Sequence, residues 1–240
     1  MRHRKNFLGQ LVFALIIIIL VVMTLTLSGA DQAVLAEADD PGRDNDLEGP
    51  WTMVAGVPWQ GRAHHSSVVL PDDSIVLMGG HDSEDYLNDV WRSTDGGATW
   101  TQLMDSAAWS PRSGHESVVL QDGSILLMGG YNNDLGYFND VWQSTDKGET
   151  WTQVKESAEW SKRSHFAVVV TPSDGSIVLM GGGYTPKSDV WRSTDNGRTW
   201  TKITDDAEWG RRKDHASVVL SDDTIVIMGG ESRLSSGTRH

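Results

Sequence analysis

After about residue 50 the apolar residues of this chain come in short β-branched runs, not at helical spacing, and the runs return about every 50 residues. Residues 65–70 (HSSVVL) and 74–78 (SIVLM) predict two paired strands across a turn at Pro71-Asp72-Asp73. Gln121-Asp122-Gly123 and Ser221-Asp222-Asp223 mark the same turn in their units, and residues 171–175 are a version with two extra residues. Glycine pairs close the second strand: Gly79-Gly80, Gly129-Gly130, Gly181-Gly182 and Gly229-Gly230. A third strand opens at Asp89-Val90-Trp91, Asp140-Val141-Trp142 and Asp189-Val190-Trp191, and a fourth follows at residues 99–103 and their repeats. The pattern predicts an all-β chain of four-stranded antiparallel units.

Between the third and fourth strands stands Ser-Thr-Asp-x-Gly-x-Thr-Trp, at residues 93–100, 144–151 and 193–200. Ser93 and Asp95 can bond turn amides, Gly97 can take the positive φ of a tight hairpin, and Trp100 folds back over it. Ser144, Asp146, Gly148 and Trp151, then Ser193, Asp195, Gly197 and Trp200, repeat the arrangement. All eleven tryptophans lie in the repeats. Each buried indole hides roughly 150–250 Å², so the indoles should stabilise the units more than the turn hydrogen bonds do. Trp59, Trp109, Trp160 and Trp209 follow at intervals of 50, 51 and 49, and His65, His115, His165 and His215 at a constant 50. A period near 50 with one glycine pair per unit predicts the blades of a β-propeller. Three blades are complete (64–104, 115–154 and 165–203), and a fourth has two strands (215–220 and 224–228) before the tail 231–240. Residues 51–54 (WTMV) are expected as an outer strand pairing with that last blade. The propeller is incomplete or truncated, or its ring is completed between two chains of a homodimer.

Arg-x-x-His, an apolar hairpin, Gly-Gly and Asp-Val-Trp together resemble the kelch repeat of galactose-oxidase-type propellers, across residues 51–230. The Ser-x-Asp-x-Gly-x-Thr-Trp turn resembles the Asp-box (BNR) hairpin of sialidase-type propellers. The resemblance implies a propeller and leaves function open, since propellers host unrelated activities. Copper chemistry of the galactose oxidase kind needs a Tyr–Cys crosslink, and the chain has no cysteine. Sialidase chemistry needs an arginine trio and a Tyr/Glu pair at unique positions, whereas these arginines are repeat-equivalent. The expectation is therefore a binding module with no catalytic residues. The alternative is a glycan-acting enzyme, sialidase-like or a lyase, with an incomplete site in this chain.

Strand alternation puts the links between blades and the second-to-third-strand loops on one face, and the remaining turns on the other. The first face gathers the ligand candidates Arg62, His65, Tyr86, Arg112, His115, Tyr131, Tyr137, Arg163, Tyr184 and Arg212. Recurrence in every unit also suits a structural task, with arginine and histidine bonding loop carbonyls. The loops 81–88, 131–139 and 183–188 differ between blades and suit specificity. In the third unit Lys162 stands three residues before His165 and Arg163 two before, which breaks a symmetric arginine ring. Trp109, Trp160 and Trp209 are expected in the core. Four histidines could share a metal only if all pointed down the axis. Asp82, Glu84 and Asp85 are the candidate calcium loop; no other metal or cofactor is expected.

Composition adds a location. Arg2, Arg4 and Lys5 precede an apolar run over residues 11–23, followed by Ser28-Gly29-Ala30. Residues 1–30 predict a secretory signal, or a retained membrane anchor over residues 7–27, with the remainder outside the cytoplasm. Residues 31–50 are acidic and read as a flexible linker. The formal net charge is −13, and residues 1–30 hold no acidic side chain, so the remainder is more acidic still. Such a body repels nucleic acid and anionic lipid. The expected partner is a protein or a carbohydrate, with membrane contact only through the N-terminal segment.

Overall fold

The computed structural model describes residues 33–36, 51–54 and 56–232. The expected signal or anchor, most of the expected linker and residues 233–240 lie outside them. Among the described residues no helix is long and apolar enough to cross a membrane. β1 (Ala33–Ala36) and β2 (Trp51–Val54) form an antiparallel pair of their own, Ala33 opposite Val54 and Ala36 opposite Trp51. This corrects two expectations, since part of the linker is a strand and residues 51–54 do not pair with the last blade. That blade has only two strands among the described residues, so no third strand is present to receive an outer one.

The first blade is β3 (Ser66–Val69), β4 (Ile75–His81), β5 (Tyr86–Ser93) and β6 (Thr101–Met104), hydrogen-bonded in that order. The second opens with β7 (Glu116–Val119) and β8 (Ile125–Met128). A small hairpin of β9 (Tyr131–Asn132) and β10 (Gly136–Tyr137) follows, then β11 (Val141–Ser144) and β12 (Thr152–Lys155). The third is β13 (Ala167–Val170), β14 (Ile177–Met180), β15 (Val190–Ser193) and β16 (Thr201–Thr204). The fourth holds β17 (Lys213–Val219) and β18 (Ile225–Glu231). First strands of successive blades pack together, β3 on β7, β7 on β13 and β13 on β17, which is the inner wall of a β-propeller.

The core lies between blades because both faces of a middle blade are covered. Val68, Leu70, Val76 and Met78 of the first blade pack with Ile125 and Leu127 of the second. Val118, Leu120, Leu126 and Met128 then pack with Ile177 and Leu179 of the third. Among the described residues no further blade covers the same face of the fourth, so Val218, Leu220, Val226 and Met228 are exposed. Met228 is 46% exposed where Met78 and Met128 are fully buried. The three Ser-Thr-Asp turns close as expected. Ser93 Oγ accepts from the Gly97 amide (2.8 Å), Asp95 Oδ1 from the Thr99 amide (2.8 Å), and the Trp100 indole donates to the Gly97 carbonyl (3.0 Å). The third turn repeats all three bonds; the second repeats the first two, and the buried Trp151 indole N–H has no partner. A bulge recurs at Val90/Trp91, Val141/Trp142 and Val190/Trp191, where each third strand meets its outer neighbour.

Candidate functional site

Each complete blade is pinned by a two-pronged arginine–aspartate pair. Arg62 meets both carboxylate oxygens of Asp89 (2.7 and 2.9 Å), Arg112 those of Asp140 (2.6 and 2.8 Å), and Arg163 those of Asp189 (2.7 and 2.7 Å). The same carboxylates accept the indole N–H of Trp91, Trp142 and Trp191, at 2.6, 2.8 and 2.8 Å. The guanidinium groups also donate to the carbonyls of Gly79, Gly129 and Gly181. Arginine, glycine pair and Asp-Val-Trp are therefore one device, which ties the link before a blade to that blade's third strand. The side chains of Arg112 and Arg163 have no exposed surface and that of Arg62 has 4%. These three expected ligand contacts are corrected to internal pins, because their terminal nitrogens are held by the aspartate and the glycine carbonyl inside the fold. Arg212 has no aspartate to meet in its two-stranded blade and donates to the carbonyls of Gly229 and Trp209.

The histidine register is also corrected. Arg62, Arg112, Arg163 and Arg212 follow at 50, 51 and 49, as the tryptophans do, so the residue equivalent to His65, His115 and His215 is Phe166. Its ring fills the space beside Gly129, just as His115 fills that beside Gly79 and His215 that beside Gly181. A Cβ on Gly129 would come within 2.7 Å of the Phe166 ring. The position seals one blade against the previous one, which is why phenylalanine can replace histidine. Both ring nitrogens of His115 and His215 are buried without partners, and burial brings the His115 pKa down to about 3. His115 is a packing group, not a ligand contact.

His165 belongs instead with His64, Gly114 and Asp214. These four have φ of 55°, 54°, 60° and 54°, and they form a ladder around the axis. The Gly114 amide donates to the His64 carbonyl (2.9 Å), that of His165 to Gly114 (2.8 Å), and that of Asp214 to His165 (3.0 Å).

From this ladder an aromatic strip crosses the link-and-loop face. His165 meets His64 edge-on (centroids 4.8 Å apart), His64 stacks on His81 (5.5 Å), and His81 on Tyr86 (5.7 Å). Tyr86 then meets Tyr131 (6.0 Å), Tyr131 meets Tyr137 (4.5 Å), and Tyr137 meets Tyr184 (6.5 Å). All four tyrosines of the chain are joined in this way, and Tyr184 is 69% exposed. The Tyr86 hydroxyl donates to Asn133 (3.0 Å), which links the loops of the first two blades. The sequence brings the tyrosines to the face; His64, His81 and His165 are the members it did not single out for ligand contact.

At one end of the strip the axis holds a cavity of about 170 Å³, lined by His64, His65, His115, His165, Asp214 and Glu116 among others. Glu116 begins β7, at the position of Ser66, Ala167 and Ala216 in the other blades. Glu116 is half-buried, its carboxyl meets no hydrogen-bond or ionic partner among the described residues, and burial pushes it up to about 8. Asp214 stands 3.7 Å from His165 and 3.5 Å from Lys213, which also pairs with Glu231 at 2.8 Å. A larger hollow of about 620 Å³ runs along the third blade, but it mixes Glu159 and Asp205 with Lys187, Lys202 and Arg211. The expected calcium loop is a self-contained turn, with Asp82 Oδ1 accepting the amides of Glu84 and Asp85 at 2.8 Å each. Among the described residues no group of three or more His, Cys, Asp or Glu is arranged to hold a metal ion.

The solved structure described as "Structure of YjhT" superposes with a TM-score of 0.63 at 20% identity. The match covers 78% of this chain and 64% of that one, so the chain spans less than two thirds of its length. At that identity the likeness concerns the fold. No curated protein matches the chain. The KLHDC2/KLHL20/DRC7 Kelch-repeats domain matches residues 48–230, over the same blades that carry the arginine pins. The chain belongs to this family of Kelch-repeat domains.

Proposed function

We propose that this propeller is a protein-binding module whose partner docks on the link-and-loop face. The connected strip from His165 to Tyr184 carries this reading, because it is formed by loops that differ from blade to blade. Aromatic side chains supply large contact area at low entropic cost, and they are enriched at the energetic centres of interfaces. The other face is made of turns that bond to one another, such as Lys147 to Asp72 (2.6 Å) and Gln121 to the Pro172 carbonyl (3.0 Å). The family match supports a protein partner over a glycan.

A photo-crosslinking residue tests the face. Placed at Tyr131 it is expected to capture a protein from the native extract, and placed at Thr145 on the turn side it is expected to capture none. Capture from Thr145 alone, or capture of glycan alone at Tyr131, would contradict the reading. The basic start and apolar run of residues 1–30 support a location outside the cytoplasm. Protease added to intact cells should then degrade the propeller; full protection would count against it.

A further inference from the structure

We infer that the axial cavity receives a positively charged side chain of the partner, a guanidinium or ammonium group, with Glu116 as its counter-charge. The inference rests on the protein-binding reading above and names the partner's chemistry. With three of the arginines folded inside, no lysine or arginine lines the cavity, although Lys162 and Arg211 are exposed on the links of the same face. Glu116 and Asp214 line the cavity, and the aromatic strip leads away from it through His64, His81 and Tyr86. Lys213 is the cation nearest the rim, and it already meets Asp214 and Glu231. Asp214 is thus partly answered, whereas Glu116 is not.

Partial burial without a partner disfavours the charged carboxylate, so Glu116 keeps its proton to higher pH than a free glutamate. An arriving cation would offset this. It would give the carboxylate its missing partner in a site of low dielectric, where such a contact is strong. Tyrosine faces along the strip attract further cations of the same segment. An acidic group entering the cavity would meet Glu116 and Asp214, with no lysine or arginine in the lining to pair with it.

The other groups facing Glu116 are His64, His65, His115, His165, His215 and Asp214. Burial lowers the pKa of His115, His165 and His215, so these three stay neutral above pH 7. Arginine does not titrate in this range. Affinity for an arginine probe should therefore rise as pH passes about 8, where Glu116 releases its proton.

The test is calorimetric titration of the full chain with a capped hexa-arginine peptide, with hexacitrulline as the neutral isostere. The wild type is expected to bind the arginine peptide at least tenfold more tightly than hexacitrulline. Glu116→Gln, which mimics the protonated acid and should fold as the wild type, is expected to lose about tenfold and to flatten the rise between pH 7 and 9. Asp222→Asn removes one charge on the turn side and should change nothing, which separates a site from general attraction to an acidic protein. Equal binding of the two peptides, or an unchanged Glu116→Gln, would overturn the inference. If crosslinking at Tyr131 still captured a protein in that case, only the charge assignment would fall. If it captured none, the docking face would fall with it.

Discussion

Asp140 holds Arg112 through two charge-assisted bonds of 2.6 and 2.8 Å while also accepting the Trp142 indole. Removing it leaves a fully buried guanidinium unpaired, which costs about 3–5 kcal/mol. Asp140→Ala should therefore unfold at much lower urea concentration than the wild type, and a loss under 1 kcal/mol would mean that Arg112 is not a pin. His115 makes a different prediction. Its folded pKa of about 3 lies below the usual value of 6.5, so the unfolded chain binds the extra proton between them. The neutral ring's contribution is complete above pH 6.5 and is lost as pH falls toward 3. His115→Phe copies what stands at Phe166, and it should fold and be less acid-sensitive than the wild type in this window. Equal slopes of stability against pH in the two proteins would contradict the assignment.

The repeated hairpin was readable from the chain in nearly all its parts, because period-two apolar runs, glycine pairs and turn residues are local signals. What misled was a coincidence in spacing. His165 lies 50 residues from both His115 and His215, yet the tryptophan intervals of 50, 51 and 49 already carried the true register. Glu116 could not be recognised, since a glutamate at the start of a strand looks like any solvated residue until neighbouring blades enclose it. The packing between hairpins also makes equivalent residues unequal. Met128→Ala should cost about 2–5 kcal/mol through the cavity it leaves, while Met228→Ala should cost under about 1 kcal/mol, because Met228 is 46% exposed. Equal losses in urea unfolding would show that the face of β17 and β18 is covered. By the same argument the amides of this hairpin should exchange hydrogen faster than those of β7 and β8, whose blade is enclosed on both sides. Uniform exchange rates would contradict it.

At the scale of the molecule, the repeated residues build the blades, and under the proposed function the unrepeated ones meet the partner. Arginine pins, glycine pairs and turn serines recur because every blade needs the same closure. The tyrosine loops and Glu116 escape the repeat because no blade depends on them for its fold. Stability and recognition should therefore be separable by substitution, although the arginine pins and the tyrosine loops lie at the same end of the propeller. The most direct measurement compares melting temperature and hexa-arginine affinity in two variants, Arg112→Lys and Tyr131→Ser. Arg112→Lys is predicted to melt well below the wild type yet bind the peptide normally while folded. Tyr131→Ser is predicted to melt with the wild type and bind several-fold more weakly. A folded Arg112→Lys protein that had lost the peptide, beside a Tyr131→Ser protein that kept it, would contradict the division on which the account stands.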